Sequence, residues 1–415
     1  MQVKYMTKNF GQYDVTSLAS YQAVGGLQAL AWAQEHGAEA VLARLVAAKI
    51  KGRGGAGYDM GRKWTQARAV VGDPKVIICN ADEGEPSTFK DRALLQYDPM
   101  DLLEAMLIAG YVVGARDGYI YLREEYTHLR AILLQAIKTF EMAGLLGENA
   151  LGEGKPFFMH LYSGAGAYVC GEGTALIRSI EGKSGRPRMK PPYIKQSGLF
   201  ARPTCVNNVE SLSIVPHLLL DEKDEYFSYG TEESVGTRLI SVAGNVNHPG
   251  VFEIAFGTTI REIVEDLAGG IQGARAIRLL QFGGASGRIA SPAILDVPYT
   301  YEDLQTAGVT VGSGAILVID ERTSVLDFLT MTQDFFYEES CGQCTPCREG
   351  NRHLRMYLRK FQKGEGTQAD FDTMMKVAHI MPIASLCGLG ESAENALFSA
   401  LKIFPDTFAQ GGVRL

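Results

Sequence analysis

The chain has 415 residues, enough for two or three domains around a well-buried core. Apolar residues make up 46% and charged residues 21%, with a formal net charge of −7. That balance, with no block of Lys or Arg, argues against nucleic acid as a partner, because phosphate binding needs a basic face.

The opening stretch, "MQVKYMTKNFGQYDVTS", has no apolar segment of the secretory kind. Residues 16–50 read as helical, with Leu, Ala and Val at three- and four-residue spacing. A glycine-dense loop, "KGRGGAGYDMGRKW", follows. "PKVIICNADEGEP" reads as a short apolar strand running into a polar turn. "PMDLLEAMLIAGYVVGA" and "THLRAILLQAIKTFEMAGLLG" are helical patterns separated by the strand "DGYIYLREE". The most apolar part of the first is too short to span a bilayer and carries Glu104. "FFMHLYSGAGAYVCGEGTALIRSIEG" then reads as strand, glycine loop and helix. This alternation to about residue 220 predicts an α/β domain with a largely parallel sheet.

Near residue 237 the texture changes. "RLISVAGNVNHPGVFEIAFGTTIREIVEDLAGG" gives a strand, a Pro-Gly turn, a second strand and a helix, and further strands follow in a small unit of β-grasp character. From about residue 323 four helical patterns surround most of the cysteines. The expected domains are 1–236, 237–322 and 323–415.

Seven cysteines, an odd number with no sign of secretion, make a disulfide framework a poor reading. Cys79, Cys170 and Cys205 are solitary and expected to act as small buried hydrophobes. Cys341, Cys344 and Cys347 form C-x2-C-x2-C, and Cys387 in "ASLCGLGE" is the candidate for a fourth ligand. Three evenly spaced cysteines plus a remote one suit a 4Fe–4S cluster better than zinc, which more often pairs two C-x2-C knuckles. A structural zinc in a non-catalytic binding or scaffold module is the competing reading.

"GRGGAG" at 52–57 fits G-x-G-x-x-G, but a helix precedes it where a dinucleotide fingerprint needs a strand. Its backbone N–H groups can still approach a phosphate or a flat ring, with Arg53 and Lys63 as cationic partners. "SGAGAYVCGEGTAL" opens another helix, whose N-terminus suits an anion. Asn80, Asp82, Glu83 and Glu85 follow a strand directly, where open α/β sheets bind ligands. Asn207, Asn208 and Ser211 precede an apolar helix, and Arg188, Lys190 and Tyr193 cluster around Pro-Pro. Each of these could equally be a structural turn or cap.

Together, "GRGGAGY…GRKW", "CNADEGEP…FKDR", "GAGAYVCGEGTAL", "RPRMKPPY", "RPTCVNNVE" and "ESCGQCTPCREG" closely resemble the NADH-oxidising flavoprotein subunit of respiratory complex I. Its relatives include diaphorase subunits of NAD-linked hydrogenases and formate dehydrogenases, and the flavoprotein subunits of bifurcating hydrogenases. The motifs run from about residue 52 to 390, nearly the whole chain. The resemblance implies a Rossmann-like FMN domain, a ubiquitin-like β-grasp domain and a C-terminal four-helix domain with one 4Fe–4S cluster. It implies FMN contacts from Gly52, Arg53, Gly54, Gly55, Gly57, Lys63, Asn80, Asp82, Glu83, Gly171, Glu172, Asn207, Asn208 and Ser211. Tyr58, Glu85, Gly173, Lys190 and Tyr193 fall at positions implied for the nicotinamide nucleotide. Glu85 and Glu172 are the candidate catalytic carboxylates, although hydride transfer from NADH to flavin needs no acid–base residue.

The resemblance further implies NAD(H) as substrate, with NADP(H) an alternative, and electrons leaving singly through the cluster. The implied partners are a thioredoxin-like 2Fe–2S subunit and a larger multi-cluster iron–sulfur subunit. Beyond them would lie a hydrogenase, a formate dehydrogenase or a membrane quinone-reducing module. The expected location is cytoplasmic, reaching a membrane only through partners. Gly84 and Gly173 depart from the "NADESEP" and "GEET" forms of complex I, and the thioredoxin-like and ferredoxin-like extensions of many bifurcating relatives are not seen.

Overall fold

A computed structural model describes residues 2–72 and 74–411. Its first unit opens with α1 (Leu18–Ala23), α2 (Gln28–His36) and α3 (Ala38–Ala47). The helical periodicity of residues 16–50 is thus cut twice. Leu27 adopts a left-handed φ of 68°, and Gly37 ends α2 at φ 83°, a conformation that glycine enters without steric cost. After the glycine loop come α4 (Met60–Ala69), β1 (Lys75–Ala81), α5 (Lys90–Tyr97) and α6 (Pro99–Val113). β2 (Ala115–Leu122), α7 (Thr127–Met142), β3 (Phe158–Ser163), α8 (Gly173–Ile180), β4 (Thr204–Asn208), α9 (Val209–Leu219) and α10 (Glu225–Ser228) complete the unit.

The four strands form one wholly parallel sheet in the order β3-β2-β1-β4. Both faces are covered, as a parallel sheet requires. Along β1, Val76 and Ile78 join one hydrophobic cluster while Ile77, Cys79 and Ala81 join the other. α6 is buried on nearly every side, which explains its continuous apolar run. Cys79, Cys170 and Cys205 are all buried. The strand order reverses between β1 and β4, where Asn80 stands in register with Asn208. That reversal opens a crevice at the strands' carboxyl ends.

The second unit is a mixed sheet, β6-β5-β9-β7-β8. It comprises β5 (Thr237–Gly244), β6 (Gly250–Ala255), β7 (Ile277–Phe282), β8 (Ile289–Ala290), α11 (Tyr301–Thr306) and β9 (Ala315–Asp320). The helix expected after β6 is a wide π turn at Glu262–Leu267. The third unit holds α12 (Val325–Glu339), α13 (Thr345–Gln362), α14 (Gln368–Ala384), α15 (Gly388–Ser392) and α16 (Asn395–Ile403). Its core is continuous with Val76, Ile78 and α8 of the first sheet, so the cysteines lie beside the crevice. No helix among the described residues is long and apolar enough to cross a membrane.

Candidate active site: a cleft beside four cysteines

The crevice between β1 and β4 deepens into a cleft of about 470 Å³. Gly54, Gly55 and Ala56 form one edge, and Asn80, Asp82, Glu83 and Glu85 form the floor. Gly171, Glu172 and Asn208 complete the side supplied by the first unit. Gly55 has φ 108°, so its backbone reaches the cleft in a conformation closed to ordinary side chains.

Several side chains here are held in fixed poses. The Asn80 amide donates to the Gly171 carbonyl at 2.9 Å. Asp82 Oδ2 has no hydrogen-bond partner, and burial pushes this carboxyl up to about 7 despite the opposing pull of Arg123. Glu85 accepts from Tyr168 Oη and from the Ser286 backbone N–H, the latter at 2.7 Å. Burial holds its carboxyl above the ordinary value. Glu172 caps α8, accepting from Thr174 N at 2.8 Å and Ala175 N at 3.1 Å. Its other oxygen takes a 2.9 Å bond from Lys190. Burial raises the Glu172 carboxyl, but the Thr174 and Lys190 bonds outweigh it and the group stays below its usual range.

Glu83 has a different occupation. It accepts from Asp91 N, Arg92 N and Tyr126 Oη, anchoring the start of α5. Arg53 lines the cleft. Its backbone N–H donates to Ser211 Oγ at 2.8 Å, while its guanidinium turns into the seam with the second unit. There it donates to the Thr237 carbonyl at 3.0 Å and lies over the Phe256 ring. Lys63 Nζ donates to the Val206 carbonyl at 3.1 Å, and burial lowers its pKa. Asn207 is buried behind the cleft, accepting from Trp64 Nε1. Gly52, Gly57, Tyr58, Lys63, Gly173, Lys190, Tyr193, Asn207 and Ser211 do not line the cleft itself. Tyr58 and Tyr193 are 42% and 51% exposed, and Tyr58 Oη donates to Gln66 Oε1 at 3.1 Å.

Sequence reasoning missed the opposite wall. Gly283, Ser286, Gly287, Thr310, Gly312 and Ser313 come from two loops of the second unit. Their signal was the glycine density of "FGGASG" and "VGSGA", which reads locally as turns. It also missed the buried charges beneath the floor. Lys90 pairs with Asp91 at 2.6 Å and Glu210 at 2.9 Å, and Arg53 Nε lies 3.9 Å from Glu210. Arg238 joins them through the Gly312 carbonyl at 2.8 Å. Burial raises Glu210, but Lys90, Arg238 and Arg53 outweigh it and keep it charged. Three cations (Arg53, Lys90, Arg238) thus meet three carboxylates (Glu83, Asp91, Glu210) in one buried network.

All four clustered cysteines line one small hollow next to the cleft. Cys344 stands at the N-cap of α13 and Cys387 at the N-cap of α15, so helix N-termini point at the hollow. Burial pushes the Cys347 thiol up to about 11 and raises Cys387 as well. A bound metal centre would supply the positive charge that favours their thiolate forms. Val169, Cys387 and Leu389 line both the hollow and the cleft, forming a shared wall.

The Nuo51 FMN-binding domain family matches residues 45–217. The NADH-ubiquinone oxidoreductase-F iron-sulfur binding region matches 327–411, and the SLBB domain matches 239–290. The chain is 38% identical to a NADH-quinone oxidoreductase F-type subunit of Rhizobium meliloti over 97% of its own length and 96% of the relative's. The chain belongs to the F-type subunit family of NADH-quinone oxidoreductases.

It is 40% identical to the NADP-reducing hydrogenase subunit HndC of Solidesulfovibrio fructosivorans, covering 98% of this chain and 82% of that one. A solved NAD+-reducing [NiFe]-hydrogenase in its H2-reduced state superposes with a TM-score of 0.83 at 35% identity. That match covers 92% of this chain, which spans 63% of the solved one. This F-type homologue is an oxidoreductase of the NADH dehydrogenase class, with FMN-binding and 4Fe–4S-binding domains.

Proposed function

We propose that the chain is the NADH-oxidising subunit of a multi-subunit complex, with FMN and the nicotinamide nucleotide in the cleft and 4Fe–4S on Cys341, Cys344, Cys347 and Cys387. The observation that carries this reading is the wall of Val169, Cys387 and Leu389 shared by cleft and hollow. One residue layer separates the two compartments, the arrangement a relay needs. The donor sets fit the groups. Four cysteines without any His ligand suit an iron–sulfur cluster, and the glycine backbone N–H groups and the Asn80 amide suit a flavin phosphate and ring edge.

Bound there, FMN supplies the conversion of a hydride into single electrons, which the cluster accepts one at a time. The protein's own part is to orient and exclude water. Gly54 and Gly55 present backbone without side-chain bulk. Asn80 and Asp82 offer fixed polar atoms on the floor. Glu85, locked by Tyr168 and Ser286, shapes the side that the second unit closes. Glu172 and Lys190 hold the outer rim. Tyr58 and Tyr193 are aromatic surfaces for an adenine, and Ser211 with Asn207 fixes the loop backbone behind the cleft.

The partners proposed are a thioredoxin-like 2Fe–2S subunit and a larger multi-cluster subunit, since single electrons need an outlet. The relatives include a hydrogenase subunit and NADH-quinone oxidoreductase subunits at similar identity, so the outlet is either a hydrogenase-linked or a quinone-reducing complex. On this reading the chain works in the cytoplasm and reaches a membrane only through its partners. The purified chain should be coloured, contain flavin and iron, and reduce ferricyanide or viologen with NADH but no physiological acceptor. A colourless, zinc-loaded protein would overturn the proposal.

A further inference from the structure

Behind the cleft, α6 and α9 pack together with a group of ionisable side chains between them. Asp98 is the N-cap of α6, Asp101 lies in its first turn and His217 sits near the end of α9. Each is 4% exposed or less. Their ligand atoms lie within 4.8 Å of one another, and His217 Nε2 is 3.5 Å from Asp101 Oδ1.

The polar atoms that converge there are not used. Asp98 Oδ2, Asp101 Oδ2 and His217 Nε2 have no hydrogen-bond partner. Tyr13 Oη donates to the other Asp98 oxygen at 2.7 Å. Ser213, one turn before His217 on α9, carries a further orphaned hydroxyl. Glu104, one turn beyond Asp101, is already committed to Tyr21 Oη and the Leu27 and Leu30 N–H groups. Among the described residues, His217 is the one ion-pair partner within 4 Å of Asp98 or Asp101, and the exposed Lys8 acts on all three groups only from farther away. Buried carboxylates without a countercharge or hydrogen bonds are strongly unfavourable.

We propose that Asp98, Asp101 and His217 bind one divalent first-row metal ion, distinct from the iron–sulfur cluster, that pins α6 to α9. Two carboxylate oxygens and an imidazole nitrogen are the donor set of such an ion. Bonds of about 2.0–2.2 Å put two ligands of one ion at most about 4.4 Å apart, so a shift well under an ångström closes the set. The ion is structural. His217 is nine residues along α9 from Asn208, about 14 Å from the cleft floor at 1.5 Å per residue. It fixes the axis of the helix that carries Asn208 and Glu210, and through Tyr13 it ties the N-terminal segment to the same point.

The test is anomalous diffraction from crystals of the holoprotein grown with Zn2+ and, separately, with Mn2+, measured at each metal edge. A peak bonded to Asp98, Asp101 and His217 is expected in at least one. Metal analysis of the holoprotein should then find about one non-iron equivalent per chain, lost at least tenfold in His217→Gln with iron content unchanged. Should that variant not fold, the wild-type crystals decide alone. No peak in either crystal, or zinc found only at the cysteines, would overturn the proposal and leave a proton shared among the three side chains.

Discussion

Glu85 Oε1 accepts a 2.7 Å hydrogen bond from the backbone N–H of Ser286, joining the loop after β1 to the loop after β7. Tyr168 Oη holds the other carboxylate oxygen. At this edge the cleft is therefore closed by two domains that share one carboxylate, beside further bonds such as Thr88 Oγ1 to Ser313 Oγ. Gly284 stands directly behind it, at φ 87°, where a Cβ would lie 1.9 Å from Glu85 Cγ.

That contact makes Gly284→Ala informative. The left-handed backbone costs a non-glycine residue roughly 1–2 kcal/mol, and the methyl group drives Glu85 off Ser286. The expected result is a rise in KM for NADH of about tenfold, equivalent to about 1.4 kcal/mol. The reduced-cluster EPR signal should be unchanged, because the cysteines lie on the other side of the wall. Steady-state kinetics with a dye acceptor reads the first, and an unchanged KM would show that the Glu85 pose does not matter for the nucleotide.

Asp82 gives a pH dependence with a defined sign. Burial raises its folded-state pKa to about 7 from 3.8, so the folded flavin-free protein binds a proton that the unfolded chain has released. Its contribution to stability is present below about pH 4 and is lost as pH rises through about 7. Asp82→Asn should flatten that loss and stabilise the flavin-free protein at pH 8 by on the order of a few kcal/mol. Glu83, also pushed up to about 7 by burial and Asp91, adds a slope of the same sign, so some decline remains. Denaturant midpoints of both proteins from pH 5 to 8 check this; parallel profiles would assign the slope elsewhere.

How much of this was legible in the sequence depends on the range of the interactions. The C-x2-C-x2-C spacing is local, so the hollow of Cys341, Cys344 and Cys347 could be read directly. Asn80, Asp82 and Asn208 were legible because strand ends at a topological switch point gather polar residues. The wall formed by Gly283, Ser286 and Gly312 was not, because it reaches the cleft only when the second unit docks. Arg53 was legible as a cleft residue, but the direction of its guanidinium was not. A cation in a glycine loop reads as a ligand partner, but Glu210 and the Thr237 carbonyl claim it from distant segments. The helix expected over residues 16–50 failed at Leu27 and Gly37, where left-handed or positive φ values break a continuous apolar pattern.

Cys387 is the cysteine that faces both compartments. Cys387→Ser is nearly isosteric, so the cleft wall should keep its shape and FMN its site, while the cluster loses its fourth thiolate. The expected outcome is loss or conversion of the 4Fe–4S EPR signal with flavin content within about a factor of two of wild type. Because viologen needs an electron carrier that flavin alone can serve, some dye reduction should persist. An unchanged cluster spectrum would mean that the fourth ligand is another group.

Position 173 concerns the choice between NADH and NADPH. Complex I relatives carry a second Glu there, in "GEET", whose carboxylate would accept the adenosine 2′-hydroxyl and repel a 2′-phosphate. Gly173 removes that charge, and a missing repulsion relaxes specificity as surely as a new attraction. The backbone would accept a side chain, since a Cβ at Gly173 would meet only Ile194 Cδ1 at 3.4 Å and the φ is not positive. Lys190, a partly exposed cation, is held by the neighbouring Glu172 at 2.9 Å. Wild type should therefore discriminate weakly against NADPH, and Gly173→Glu should raise the NADH-to-NADPH ratio of kcat/KM by about tenfold or more, the factor that about 1.4 kcal/mol of repulsion supplies. Activity with NADH itself should change little. If the added carboxylate leaves the ratio where it was, residue 173 does not face the ribose and specificity is set by another part of the cleft.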